Sequence, residues 1–509
     1  MTRPERRQPD ERRPVRGDRG RDDRGRDDRG RDDRGRDDRD GIDRRARWSA
    51  VDAARQAAYE AISAVHHDDA YANLVLPAVL RDFGLHGRDA AFATELTYGT
   101  LRTGETIDAI IAIAADRALD RIDAPALDAV RLGVYQLLFT RVPAHAAVSS
   151  TVDLVRASTG TSAAGFANAV MRQIGTRNLD DWLDTVAPDP AVDRLGYLAV
   201  TRYHPLWIVR AFAEALGGDL DETDELLAED NERPTVTLCA RPGRVDALDL
   251  ADSTGGAPGA FSPYAVYLPG GAPGNIPEIV QRKAHVQDEG SQLVALALAF
   301  APLDGPDDSR DSRWLDLCAG PGGKAALLGS LAAERGARVT AVEIAPHRAD
   351  LVRSTCEGLP VDVVDADGRD VGVHEALPEG AFDRVLVDAP CTGLGALRRR
   401  PEARWRRTPG DLPPLTRLQR ELLGAALRAV RPGGVVGYVT CSPHLAETQV
   451  TVTEAARRAA FPVEFVDARP LLPDGMPGLG TGPSVQLWPH RHGTDAMFLA
   501  VLRRVAPED

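Results

Sequence analysis

The chain has 509 residues, 43% hydrophobic and 27% charged, an ordinary globular composition for two to four domains. No apolar run approaches the roughly 18 residues of a membrane span, and the charged N-terminus has no apolar signal core, so a cytoplasmic, membrane-free protein is expected. Formal net charge is −14, yet residues 1–47 hold 18 Arg against 14 acidic side chains, leaving −18 on the other 462. An acidic body argues against a broad nucleic-acid surface but not against a local one.

Residues 16–40 repeat "DRGRD" with period five and hold no aromatic residue. Residues 1–47 are therefore expected to be a solvated, disordered tail, weak RNA contact by its arginines being the alternative. Residues 48–185 read as an all-α bundle. "VDAARQAAYEAISAV", "RDAAFATELTYGTLRTGETIDAIIAIAA" and "PALDAVRLGVYQLLF" space apolar residues at three and four, and "AGFANAVMRQIG" ends on a Gly stop. Residues 186–285 mix a helical stretch ("LWIVRAFAEAL"), strand-like alternation ("RPTVTLCARPG") and a Gly/Pro-rich region, and read as a connecting subdomain. From 286 to 509 short apolar runs alternate with helical segments, which predicts a parallel sheet with crossover helices. The runs are "RWLDLCAG", "ARVTAVEI", "VDVVDAD", "FDRVLVDAP" and "GGVVGYVTCS", with "VEFVDA" and "AMFLAVLRR" completing seven strands.

Chemistry gathers at the ends of these runs, where an open α/β sheet forms its ligand crevice. "DLCAGPGGK" (316–324) is a Gly/Pro turn between strand and helix. Its glycines let backbone N–H groups approach a ligand. Glu343 ends the second strand, where an acid takes a ribose diol, and Asp367 ends the third, suited to an adenine edge. The turn is neither the P-loop nor the G-x-G-x-x-G fingerprint, so S-adenosyl-L-methionine is the expected cofactor rather than NAD.

The five cysteines are an odd number, widely spaced, with no C-x-x-C pair, which argues against a disulfide framework or a zinc site. His490 and His492 lack neighbouring Cys or His, and no metal is expected. Cys239, Cys318 and Cys356 read as small buried residues. Cys391 and Cys441 differ, because both end strands that share one crevice with Asp388. A methyl donor beside a cysteine suits C5 of a pyrimidine, a carbon too weakly nucleophilic until a thiolate adds at C6. An acid must then stabilise the adduct, and a base must remove the C5 proton. "RRRPEARWRR" (398–407) combines arginines with a tryptophan, and Arg398, Arg399, Arg400, Arg404 and Trp405 are expected to rim the site and bind single-stranded RNA. The target pyrimidine would leave its stack to reach the thiol.

"DLCAGPGGK", "DAPCTGLG…RRRPEARW" and "GYVTCS" resemble the Sun-type RNA (cytosine-5) methyltransferases, especially bacterial members acting on 16S rRNA. "VQDEGSQL" and "LWPHRHGTDAMF" are similar to that family's flanking signatures. "RDAAFATELTYGTLR", "VPAHAAVSSTVDLVR" and "FANAVMRQI" resemble the NusB-like RNA-binding domain. The resemblance implies an N-terminal all-α NusB-like bundle and a C-terminal Rossmann-like α/β seven-strand methyltransferase, acting as a monomer on RNA. It implies Cys441 as nucleophile, Cys391 as the helper in product release, and Asp388 at the cytosine and near the cofactor. Cys318, Ala319, Gly320, Pro321, Gly322, Gly323 and Lys324 would wrap the methionine part of the cofactor, with Glu343 on the ribose and Asp367 on the adenine. The chain departs from the family at Gly320 (usually Ala), Ala325 (usually Thr), Glu447–Thr448 (usually Glu–Asn) and "DAMF" (usually "DGFF"). A decayed, non-catalytic RNA-binding or antitermination factor should have lost Cys441, Asp388 or the Gly turn, and all remain. Methylation of an exocyclic nitrogen favours an Asn/Asp-Pro-Pro-aromatic motif, where this chain has "DAPC". A different RNA, such as tRNA, is the remaining alternative substrate.

Overall fold

The computed structural model describes residues 48–271, 273–304 and 311–506; the charged repeat expected to be disordered lies outside them. From Ala53 to Val186 the chain is helical: Ala53–His67, Ala72–Asp82, Gly87–Arg102, Gly104–Ala115, Ala124–Phe139, Ala144–Ser158, Thr161–Ile174 and Leu179–Val186. The apolar spacing turns Ile62, Leu96, Ile107, Ile110, Leu132 and Leu154 inward, each fully buried. Gly133 brings two helices together, because a Cβ there would lie 2.1 Å from Thr151 Oγ1. The periodic stretch 88–115 divides at Thr103, whose hydroxyl donates to Gly99 O at 2.9 Å.

Three more helices follow, Arg194–Thr201, Leu206–Ala215 and Leu220–Glu229. The alternating stretch near 237 then forms β1 (Thr237–Ala240), which pairs in an antiparallel sheet of its own with β2 (Ala257–Pro258), β3 (Ala265–Tyr267) and β4 (Ala284–Val286), in the order β2-β3-β1-β4.

The C-terminal sheet contains β5 (Arg313–Asp316), β6 (Arg338–Glu343), β7 (Val361–Asp365), β8 (Phe382–Asp388), β9 (Val430–Thr440), β10 (Val463–Val466), β11 (Val485–Gln486) and β12 (Phe498–Arg504). Its order is β10-β12-β9-β8-β5-β6-β7, with β11 added on β12. The seven expected runs are all strands, and the two-residue β11 makes an eighth. Strands β5 to β9 pair in parallel, and β12 runs antiparallel to β9 and β10. β8 is buried along nearly its whole length, as a strand covered on both faces must be. The helices Glu289–Phe300 and Gly323–Arg335 pack in one core with β5, β6 and β9, and Leu412–Ala429 packs in another with β8. β5 has β6 on one side and β8 on the other, so the topological switch point falls where β5 and β8 end. Asp316 and Asp388 stand at those two ends.

Candidate active site

After Asp316 the chain turns through Cys318, Ala319, Gly320, Pro321 and Gly322 into the helix Gly323–Arg335. Gly322 has φ +112°, a conformation L side chains rarely adopt, and the helix start has no side-chain cap. Its first N–H groups are thus open to an acceptor. Gly320 N–H donates to Glu343 Oε2 at 3.1 Å, and Arg348 donates to Gly320 O at 2.6 Å. A Cβ on Gly320 would lie 2.2 Å from Glu343 Oε2, so the glycine lets the carboxylate close on the loop. Ile344, next to Glu343, is 64% exposed, an apolar face without protein cover at the end of β6. Sequence reasoning passed over it. Asp367 lies two residues beyond the end of β7 and is engaged by Arg369 (Nη2–Oδ2 2.6 Å), which also reaches Glu421. The arginine holds the Asp367 carboxyl below its usual value.

Asp316 is buried, and its Oδ2 has no hydrogen-bond partner. Burial and the nearby Asp388 push it up to about 7. An orphaned acid, an uncapped Gly turn, Glu343 and exposed Ile344 together fit S-adenosylmethionine, whose ammonium, carboxylate, ribose and adenine need groups of these kinds.

β8 and β9 bring the second cluster together. Cys391 Sγ and Cys441 Sγ are 3.4 Å apart. Lys324 Nζ, expected on the cofactor, pairs with Asp388 Oδ2 at 2.8 Å. Burial opposes the lysine's charge, but Asp388 holds it above the usual lysine value. The hydrogen bond from Cys391 lowers Cys441 below the ordinary thiol value against burial and Asp388, and Lys324 adds to the lowering. The same hydrogen bond and burial push Cys391 up. These opposite directions mark Cys441 as the more readily ionised of the two thiols. Cys239 and Cys356 are buried, and burial raises both thiols, Cys356 to about 12.

Glu447 holds the Cys391 loop and was noticed in the sequence only as part of a departure. This carboxylate is fully buried. Its Oε1 accepts from Thr392 N at 2.8 Å and Gln419 Nε2 at 3.0 Å, and its Oε2 accepts from Thr392 Oγ1. Gly395 N donates to Cys441 O at 2.9 Å and Ala496 N to Gly395 O at 2.8 Å, which ties the loop to both neighbouring strands. His490, set aside as a ligand, pairs with Glu222 at 2.9 Å, and His492 Nδ1 accepts from Trp488 N.

The expected RNA rim is corrected at Arg398 and Arg404, which are buried, and Arg399 and Trp405 are engaged by the protein. Arg404 is fully buried and donates to Tyr203 O, Asp230 O and Asn231 Oδ1. Arg398 is 4% exposed and pairs with Glu229 and Asp495. Arg399 lies between Asp288 (2.7 Å) and Asp495 (2.9 Å), and Trp405 Nε1 donates to Leu101 O at 2.7 Å. Their groups satisfy protein carbonyls and carboxylates instead of facing a phosphate. Arg400 alone is exposed, over the Tyr71 ring.

Residues 305–503 match the family model described as 16S rRNA methyltransferase RsmB/F, and residues 52–176 match the NusB family. The "Putative methyltransferase Rv1407" of Mycobacterium tuberculosis is 56% identical over 462 residues, covering 91% of this chain and 99% of that protein. Ribosomal RNA small subunit methyltransferase B of Escherichia coli O6:K15:H31 (strain 536 / UPEC) is 31% identical over 414 residues, 80% of this chain and 90% of that protein. The crystal structure of PH0851 shares the fold, with a TM-score of 0.73 at 21% identity, covering 89% of this chain and 98% of that one. The chain thus belongs to the 16S rRNA methyltransferase RsmB/F family of S-adenosylmethionine-dependent enzymes, and it carries a NusB-family region ahead of its catalytic domain.

Proposed function

We propose that the protein methylates C5 of a cytosine in 16S rRNA through a covalent bond between Cys441 and C6 of the base. The observation that carries this reading is the cysteine pair at 3.4 Å beside the Lys324–Asp388 pair at 2.8 Å. Two thiols serve no purpose in transfer to a nitrogen, whose lone pair already attacks. They suit a carbon that must first be activated.

Cys441, as thiolate, adds to C6, and negative charge builds on the ring. The Lys324 ammonium, held in place by Asp388, is the donor positioned to meet that charge. The Gly320–Gly323 turn, Glu343 and Asp367 would hold S-adenosylmethionine, which when bound would supply the methyl group for C5. Transfer of the C5 proton to a solvent-derived base leaves its electron pair to re-form the C5–C6 double bond and expel the Cys441 thiolate. Cys391, still protonated, donates its hydrogen bond to the departing sulfur, the same contact that lowers Cys441 in the resting protein. The NusB-family region is the docking surface for the RNA in this reading.

The test is incubation with labelled S-adenosylmethionine and unmodified 16S rRNA, followed by mapping of the label. The expected product is 5-methylcytosine, and label on a ring or exocyclic nitrogen overturns the proposal. Cys441→Ser should abolish transfer; surviving activity removes the covalent mechanism. Cys391→Ala should accumulate a protein–RNA adduct visible on a denaturing gel, and normal turnover without adduct would assign Cys391 a structural part only.

A further inference from the structure

The residues expected to face RNA do something else, and their partners follow a pattern. Within Glu402–Arg406, a short distance beyond Cys391, side chains meet helix ends of the N-terminal region and of the helices that follow it, with the donor or acceptor each end requires. Glu402 Oε1 accepts from Ala72 N at 3.2 Å, at the start of Ala72–Asp82. Trp405 donates to Leu101 O, in the last turn of Gly87–Arg102. Arg406 donates to Val65 O, Ala70 O (2.6 Å) and Asp69 O (3.2 Å), at the close of Ala53–His67. Arg404 reaches Asp230 O, just past Leu220–Glu229, and Tyr203 O beyond Arg194–Thr201. Helix starts leave N–H groups open and helix ends leave carbonyls open. One segment of the catalytic domain thus supplies an acid to a start and donors to four ends.

The path from this plug to Cys391 contains no free loop. Leu394 and Leu397 are fully buried against Ile208, Phe212 and Leu226 of the intervening helices. Arg398 is fixed by Glu229 and by Gly493 O at 3.1 Å. At the other end Glu447 holds Thr392. Cys391 is therefore attached on one side to the sheet and on the other to the N-terminal helices.

We infer that Glu402–Arg406 is a positioning strut: the seat of this segment on the N-terminal helices sets the distance of the Cys391 thiol from Cys441. The NusB-family region then belongs to the catalytic geometry as well as to RNA docking. This inference rests on the release role proposed for Cys391.

The test uses the full chain with the near-isosteric triple substitution Glu402→Gln, Trp405→Phe and Arg406→Met, with Trp405→Phe alone as a milder variant should the triple fail to fold. Cys391→Ala and the exposed-site Arg458→Ala are controls. Loosening the seat should lower kcat for 16S rRNA by about tenfold or more, since displacements near 1 Å cost up to that order or beyond. KM for the RNA should stay within about twofold, because a step made only after binding is affected. The covalent protein–RNA adduct should accumulate as in Cys391→Ala. A raised KM with kcat preserved would return the segment to RNA contact and overturn the inference. Unchanged kcat and KM with only a lowered Tm would also overturn it, leaving a structural role. If Cys391→Ala itself shows no adduct, the release role has failed, and the strut is then judged on the kcat against KM split alone.

Discussion

In the proposed mechanism, the hydrogen bond between two sulfurs selects the one that attacks. Because the Cys391 hydrogen bond is the largest influence lowering Cys441, Cys391→Ala should do more than trap the adduct. With that bond gone, Cys441 needs a higher pH to ionise, so the acid limb of the rate of adduct formation should move to higher pH. A single-turnover series against pH reads this directly, and superimposable limbs for the two proteins would refute it. The sequence placed these two cysteines and Asp388 at strand ends, and β8 and β9 bring those ends together. It placed Lys324 with the cofactor turn alone, since a side chain reaching across to a strand 64 residues later leaves no trace in local spacing. Glu447 was equally hidden: an acid among polar residues looks solvated until a buried amide at Thr392 is found pointing at it.

For whole elements, every strand of the catalytic sheet except β11 was legible, since central parallel strands must be continuously apolar. The arginine-rich segment was misread for a definite reason. Composition gives the number of donors but not the acceptors, and a helix end offers an arginine the same kind of oxygen that a phosphate does. Glu447→Gln should weaken the Cys391 loop, because it removes the charge on a carboxylate taking three hydrogen bonds; a stability loss of about 1–3 kcal/mol is expected by chemical denaturation. Asp230, beside the plug, is buried with neither carboxylate oxygen hydrogen-bonded, and burial raises it to about 7. The folded state therefore holds a proton that the unfolded chain has already released, and stability should fall as pH rises from about 4 to 7. Asp230→Asn should flatten that part of the Tm–pH curve; an unchanged slope would show that other groups produce it.

On the scale of the whole molecule, the acidic balance of residues 48–509 was the one reading that argued against an RNA enzyme, and the family result shows how little net charge says about function. Domain count and order could be read in the sequence, but the plug could not, since it joins residues 304 to 341 positions apart. That separation has a consequence for how the protein is made. During synthesis the first helices leave the ribosome long before Glu402, Trp405 and Arg406 exist, so their ends wait uncapped while the more than 300 residues between them are added. Early helices of this kind should be only provisionally folded. A fragment ending near residue 235 should lose amide protection at Val65, Ala72 and Leu101 relative to the full chain in hydrogen exchange, while the buried middle around Leu132 keeps it. Equal protection at the helix ends would mean the N-terminal region matures without its later half.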